Sequence, residues 1–287
     1  MGRKTTIAEL VEAGRKGEKF AAVSCYDYTT ARLATQAGVE MILVGDSAAQ
    51  VILGYDSTLP ATMDFMVAIT AAVRRGGPDV SLAADMPFLS YQVSTAEAVK
   101  NAGRFVVEAG AELIKIEATR AHLDVVKAVS DAGMAVMAHI GIRPQSITRV
   151  GRFRAEGTVA EQAADLIKLA GQMLKAGASC LLLEGMAAEA ARIITQRSAV
   201  PVLGCGSGPD CDGQILIISD ILGLTAGPRP KFAKSYGNLA EATVEAVSRY
   251  ANEVHKGKFP DEAHSYHLKP GQLEKLQKML KNDCQHS

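Results

Sequence analysis

Nothing in the sequence marks a nucleic-acid or membrane protein. Lysine plus arginine equals aspartate plus glutamate at 31 each, so the formal net charge is zero. Without a basic stripe or a Lys/Arg cluster, neither a phosphate backbone nor an anionic lipid surface finds a footprint. No apolar run approaches the length of a membrane span. Cysteine is sparse: Cys25, Cys180, Cys205, Cys211 and Cys284 stand apart, with none of the paired spacings of a zinc site. Cys180 and Cys205 fall in apolar strands, where a free thiol is an ordinary small core residue. The odd count, with no recognisable leader segment, points to the reducing cytosol. No Ser-His-Asp arrangement and no Walker loop is evident. GCGSG at 204–208 lacks the spacing of a dinucleotide fingerprint and reads as a glycine-rich loop.

What is present is one design used repeatedly. MILVGDS at 41–47 is a short apolar run that ends abruptly in a turn-forming glycine, a carboxylate and a hydroxyl. The same pattern recurs where Asp85 ends SLAAD, where Lys115 and Glu117 sit in ELIKIE, where His139 ends AVMAH and where Glu184 ends CLLLE. Between these runs lie helix-period segments, most of them closed by a glycine before the next strand. Predicted strands cover 20–27, 41–46, 80–86, 111–117, 135–140, 179–184 and 200–204. Ser94 and Glu97 form a capping box that opens one of the helices. The eighth unit is less regular. Gln214–Leu222 reads as a helix and Lys231–Tyr236 as a short strand, before a long helix over Leu239–His255.

About eight strand–helix units in 287 residues fit a single (β/α)8 barrel, a TIM barrel. Its core would run over about 20–256, with an N-terminal helix before it and a helical extension over 257–287. An open doubly wound sheet is the rival, but it does not easily use eight short repeats in one domain. In a barrel, active sites lie at the C-terminal ends of the strands. Asp46, Asp85, Glu117, His139 and Glu184 all fall at that level.

Each of these residues also has a plainer reading. A lone Asp after a strand commonly caps a helix or forms a turn. Two carboxylates at one barrel mouth, however, repel unless a cation or proton lies between them. Oxygen ligation without cysteine or paired histidine suits Mg²⁺ better than Zn²⁺. Strand alternation turns both Lys115 and Glu117 into the barrel and Ile114 and Ile116 outward. They are either an internal ion pair, or Glu117 supports a metal while Lys115 receives an anionic group; a buried pair without a task is costly. His139 is either a satisfied core histidine or a site residue. Glu184 follows three leucines, and an apolar surround would raise its pKa and suit it to proton transfer.

The stretches GDS at 45–47, GYDSTLPAT at 54–62, ADMPF at 84–88, KIE at 115–117, HIGIRPQS at 139–146, DGQIL at 212–216 and PKFAKSY at 230–236 together resemble the ketopantoate hydroxymethyltransferase family. The resemblance runs from about Thr5 to Tyr266. It implies a (β/α)8 barrel of the phosphoenolpyruvate/pyruvate type. It also implies Mg²⁺ dependence and transfer of a hydroxymethyl group from 5,10-methylenetetrahydrofolate to 3-methyl-2-oxobutanoate. The product would be ketopantoate, on the route to pantothenate and coenzyme A, made by a cytoplasmic homo-oligomer, a decamer. Carried over residue by residue, Asp46 and Asp85 resemble the metal ligands, and Glu117 the outer, water-mediated metal partner. Ser47 and Lys115 resemble the groups that hold the 2-oxo acid carboxylate. Glu184 resembles the general base and His139 a pocket histidine. The chain departs from the family pattern at Gly185-Met186-Ala187, at GCGSG and at Ser219, beside these positions rather than at them. A related Mg²⁺-dependent lyase and a non-catalytic 2-oxo acid binder are the alternatives.

Overall fold

In the computed structural model, residues 5–225, 227 and 230–283 are described. The apolar runs form eight strands: β1 (Phe20–Ser24), β2 (Met41–Val44), β3 (Ser81–Asp85), β4 (Leu113–Glu117), β5 (Ala135–Gly141), β6 (Ala178–Glu184), β7 (Val202–Cys205) and β8 (Gly213–Ile217). They pair in chain order and in parallel, and β8 pairs back onto β1, so the sheet closes. This is the expected (β/α)8 barrel.

Several of the helices that follow the strands begin at a polar cap. Asp27 accepts from the amides of Thr29 and Thr30 at the start of α2 (Tyr28–Gln36). After β2 comes one short turn, α3 (Ala48–Val51), then α4 (Met63–Gly76), capped by Thr62. Ser94 caps α5 (Thr95–Ala109), and Gly110 closes it in the left-handed region at φ +70°. Then come α6 (Leu123–Asp131), the short α7 (Ile147–Val150), α8 (Ala160–Lys175), α9 (Ala188–Arg197) and α10 (Ile218–Leu222).

Strand alternation sorts the apolar residues into two layers. Ile42, Leu82, Ile114, Ile116, Leu181 and Leu183 pack between barrel and helices. Leu43, Leu113, Met137, Leu182, Leu203 and Ile215 fill the interior. Each such side chain contributes roughly 1.5–3 kcal/mol by leaving water. The N-terminal α1 (Ile7–Arg15) starts at a capping box between Thr6 and Glu9. Its Leu10 joins the interior layer, and the Thr5 amide donates to the carbonyl of Asp79 just before β3. This helix therefore closes the N-terminal end of the barrel. The opposite end is left for chemistry.

The eighth unit corrects the sequence reading. GQILI at 213–217 is β8 rather than the start of a helix, and Lys231–Tyr236 is irregular, not a strand. Periodicity does not separate a buried strand from a buried helix in the continuous apolar run ILIISDIL. Pairing decides it: Phe20 to Ser24 of β1 lie in register with Gly213 to Ile217, which closes the barrel.

The chain divides into two compact units, Met1–Gly237 and Asn238–Ser287. The first holds all eight strands. The second contains α11 (Leu239–His255), which the sequence reading placed in the barrel core, and α12 (Gln272–Asp283). In α11 no residue is buried, and Leu239, Val247, Tyr250 and Val254 are exposed. Among the described residues no helix is long and apolar enough to cross a membrane. Cys25, Cys180, Cys205 and Cys211 are free thiols, and Cys284 lies outside the described residues.

Candidate active site

At the C-terminal end of the barrel, strand alternation brings six of the predicted residues to one cavity of about 280 Å³: Asp46, Ser47, Asp85, Lys115, His139 and Glu184. The seventh, Glu117, lies behind them. It is buried, and the His139 Nδ1 to Glu117 Oε1 distance is 4.0 Å.

The centre of the site is a buried charge cluster. Lys115 Nζ donates to Asp85 Oδ2 at 2.6 Å, with both side chains almost wholly enclosed. The ion pair within the barrel is thus with Asp85 on the neighbouring strand, not with Glu117 on the same one. The Asp46 amide donates to the same Asp85 oxygen at 3.1 Å. The other oxygen, Oδ1, is buried without a hydrogen-bond partner. Burial pushes the Asp85 carboxyl from 3.8 up to about 7, although Lys115 pulls it down. Burial likewise holds Glu117 well above the carboxylate range. Burial opposes the Lys115 charge, but Asp85, Asp46 and Glu117 outweigh it and raise its pKa.

Three carboxyl groups crowd one ammonium, and burial favours their neutral forms; a cation among them would favour the charged forms instead. Among the described residues no three His, Cys, Asp or Glu side chains form a metal cage. Such a cage is not needed for Mg²⁺, which keeps several waters and typically takes one or two carboxylates plus substrate oxygens. Asp46, Asp85 with its unpartnered Oδ1, and the all-oxygen donor set fit that ion and not a closed zinc site.

His139 and Glu184 form the second working pair. They stand on adjacent strands, with His139 Nε2 at 3.4 Å from Glu184 Oε2. Burial and then the Lys115 charge lower the His139 pKa, against the pull of Glu184. Neither ring nitrogen makes a hydrogen bond among the described residues, so the 3.4 Å approach is a contact that a small shift could turn into one. The three leucines before Glu184 do not enclose it as expected. Leu181 and Leu183 face the helices, only Leu182 shares its inward phase, and the Glu184 side chain keeps 20% exposure. Glu184 therefore sits at the rim of the cavity. Ser47 Oγ is 2.8 Å from Tyr26 Oη, which fixes the hydroxyl beside Asp46.

One residue that the sequence reading passed over organises the cluster. Gln145, buried in the loop after β5, donates from Nε2 to Asp46 Oδ2 and to the Met86 carbonyl, both at 2.9 Å. Its backbone amide donates to Glu117 Oε2 at 3.1 Å, and its Oε1 accepts from Tyr91 Oη at 2.8 Å. It stands in HIGIRPQS, but a neutral side chain in a loop carries neither a charge nor a periodicity signal. Its neighbour Pro144, which opens a 3₁₀ turn there, was the available hint.

Comparison with known proteins agrees with this geometry. Residues 4–262 match the family model of ketopantoate hydroxymethyltransferase. The chain is 46% identical over 263 residues to the 3-methyl-2-oxobutanoate hydroxymethyltransferase of Moorella thermoacetica, covering 92% of this chain and 98% of that protein. Against the enzyme of the same name from Hyperthermus butylicus, identity is 45% over 277 residues, covering 96% of each. Among solved structures, 2,3-dimethylmalate lyase, a PEP mutase/isocitrate lyase superfamily member, matches with a TM-score of 0.54 at 18% identity over 100% of both chains. A phosphonopyruvate hydrolase complex matches with a TM-score of 0.58 at 15% identity over 97% of both chains. At such identities the structural likeness speaks for the fold alone.

Proposed function

The chain belongs to the ketopantoate hydroxymethyltransferase family, and from that premise we propose how its barrel mouth does the work. It is a hydroxymethyltransferase that forms ketopantoate from 3-methyl-2-oxobutanoate. The one-carbon unit comes from 5,10-methylenetetrahydrofolate, and Mg²⁺ is the resident metal. Asp46 and Asp85 hold the ion, and Glu117 supports it from behind, through Gln145. Bound there, Mg²⁺ supplies Lewis acidity that makes the C3 proton of the 2-oxo acid easier to remove.

The chain's own residues do the rest. Lys115 and Ser47 receive the substrate carboxylate, which sets C3 toward Glu184. Glu184 removes the proton, and its rim position lets the proton pass to solvent. His139, kept neutral by burial and Lys115, orients that carboxylate without supplying a competing positive charge. The enolate carbon then bonds to the donor's methylene carbon, whose two C–N bonds, to N5 and N10, break; one water supplies the hydroxyl oxygen, its protons and the one taken from C3 go to the two nitrogens and the new hydroxyl, and tetrahydrofolate leaves. The buried Lys115 ammonium faces the developing negative charge, where a fixed charge out of water acts most strongly.

The product stands on the route to pantothenate and coenzyme A. A cytoplasmic location agrees with four described thiols that remain free. The exposed apolar residues of α11 favour assembly with further copies of the chain, in line with the decamer that the family resemblance suggests.

The observation that carries the mechanism is the Glu184–His139 pair opening on the same cavity as Lys115, Asp46 and Asp85. Glu184→Gln tests it, because it keeps the shape and removes the base. This variant is expected to bind Mg²⁺ and the 2-oxo acid nearly normally. It should lose ketopantoate formation and folate-independent deuterium exchange at C3, each by on the order of a hundredfold or more. Exchange preserved with transfer lost would assign proton removal to another group, His139 first.

A further inference from the structure

Three residues that line the cavity at the barrel mouth hold a buried polar atom with no hydrogen-bond partner among the described residues. They are Asp85 at Oδ1, His139 at both ring nitrogens and Thr58 at Oγ1. Proteins rarely bury such atoms without a use for them. Asp85 has its use in the metal site, and His139 beside Glu184. Thr58 stands in GYDSTLPAT at 54–62, a stretch that contributes none of the residues assigned above.

The placement of Thr58 runs against what its composition favours. Residues 52–60 follow the short turn α3, and all of them are exposed or half-buried except Thr58, which is 3% exposed. Ile52, Leu53 and Tyr55 stay in solvent while a threonine is taken inside. An apolar side chain gains by burial, whereas a hydroxyl loses unless it finds a partner. The main chain holds Thr58 there. Its carbonyl accepts from the Ala61 amide at 3.1 Å in the turn that carries Pro60, and Thr62 then caps α4. On the other side, the Tyr55 amide donates to the Ala49 carbonyl at 3.0 Å, and Gln50 Nε2 donates to the Asp56 carbonyl at 3.1 Å. These bonds fasten the loop to α3, whose first residue follows Ser47. The buried hydroxyl is thus anchored to the same strand end that presents Asp46 and Ser47.

The anionic end of a 2-oxo acid takes more donors than Ser47 and Lys115 supply. A carboxylate alone accepts about four hydrogen bonds. Lys115 already gives one of its protons to Asp85 at 2.6 Å, and Ser47 Oγ is engaged with Tyr26 Oη at 2.8 Å. The Thr58 hydroxyl is uncommitted among the described residues, and a hydrogen bond to a charged group is one of the stronger kinds.

We propose that Thr58 is a third hydrogen-bond donor to the anionic end of the 2-oxo acid, beside Ser47 and Lys115. In the free protein its buried hydroxyl weakens the fold. In the complex the same hydroxyl gains a charged partner, and the strain on stability returns as affinity. The role rests on the 2-oxo acid reading given above and adds a residue to it.

Two substitutions test it. Thr58→Val keeps the shape and removes the hydroxyl, and Thr58→Ser keeps the hydroxyl. In Thr58→Val, KM for 3-methyl-2-oxobutanoate is expected to rise about tenfold, with kcat changed by less than about threefold. Thr58→Ser should bring KM back to within about threefold of wild type. Melting of the free protein should move the opposite way. Thr58→Val should melt at or above the wild-type temperature, by up to about 5 °C, because a methyl group replaces an unpaired polar one. A hydroxyl that served only the fold would lower it instead. An unchanged KM, a KM that Thr58→Ser does not restore, or a Thr58→Val protein that melts below wild type would each overturn the role. Thermal shifts with Mg²⁺ and millimolar 3-methyl-2-oxobutanoate separate this failure from that of the reading beneath it. Wild-type protein that the acid does not stabilise would overturn the 2-oxo acid reading, and Thr58 with it. Equal stabilisation of wild type and Thr58→Val would overturn the role of Thr58 alone.

Discussion

Replacing Lys115 by methionine is the most informative single perturbation of the charge cluster. Methionine is close in volume, so no large cavity opens, and what is lost is the ammonium 2.6 Å from Asp85 Oδ2. Removing one partner of a buried pair typically costs about 3–5 kcal/mol, because the remaining charge is uncompensated. Asp85 escapes that cost wherever it can take up a proton. Its carboxyl already stands at about 7, against 3.8, with burial raising it and Lys115 holding it down. Without the lysine it rises further. A carboxyl whose folded pKa is raised loses stability as pH climbs from the unfolded value to the folded one, and nothing more above it. The wild-type loss therefore ends near pH 7, whereas the variant's continues beyond. Each further pH unit costs the variant up to about 1.4 kcal/mol, or roughly 3 kcal/mol by pH 9. At about 2–4 °C per kcal/mol for a chain of this order, Lys115→Met should melt about 5–10 °C below wild type at pH 9 in chelator. Near pH 5.5 the gap should be much smaller. Adding Asp85→Asn to the variant should remove the part of the deficit that grows with pH. Circular-dichroism melts across this range decide the matter. A deficit equal at pH 5.5 and 9, or one untouched by Asp85→Asn, would refute the assignment of Lys115 as the counter-charge of Asp85. The same variant should raise KM for the 2-oxo acid and lower kcat, since positioning is lost in ground and transition states alike.

Asp46→Ala and Asp85→Ala should each abolish Mg²⁺-dependent turnover while the circular-dichroism spectrum stays native; full activity of either in chelator would sink the metal assignment. Gln145→Leu strips the amide donor from Asp46 and the Met86 carbonyl. It should cost about 1–3 kcal/mol of stability and weaken Mg²⁺ binding, read by calorimetry, by about tenfold or more. Unchanged Mg²⁺ affinity would make Gln145 a purely structural strut. Multi-angle light scattering should find a large homo-oligomer, expected as a decamer; monomer alone at working concentration would contradict it.

The barrel was legible because its signals are local. Short apolar runs, capping residues and terminal glycines each report on a few neighbouring residues, and the closed sheet follows from repeating them. The eighth strand was misread for the same reason. Nothing local in ILIISDIL separates strand from helix, and only the pairing of β8 with β1, nearly the whole first unit away in sequence, decides it. The inward placement of the candidate site residues was legible where a charge interrupts an apolar strand, as at Lys115 and Glu117, because alternation then fixes the direction of the side chain.

Alternation gives direction but not partners. It turned Lys115 and Glu117 into the same interior, yet Lys115 reaches across to Asp85, while Glu117 is tied to Gln145. The reason lies in the register: Asp85 stands directly opposite Lys115 between β3 and β4, and Glu117 opposite His139 between β4 and β5. One residue of slip would have turned Lys115 outward among the helices. The chemistry of the mouth thus depends on the parallel register of three strands, held by the interior stack of Leu113, Met137 and Leu43 beneath it. In that sense the apolar filling of the barrel is part of the candidate site. It sets which carboxylate meets the ammonium, and so which carboxylate oxygen, Oδ1 of Asp85, is left free to meet a cation.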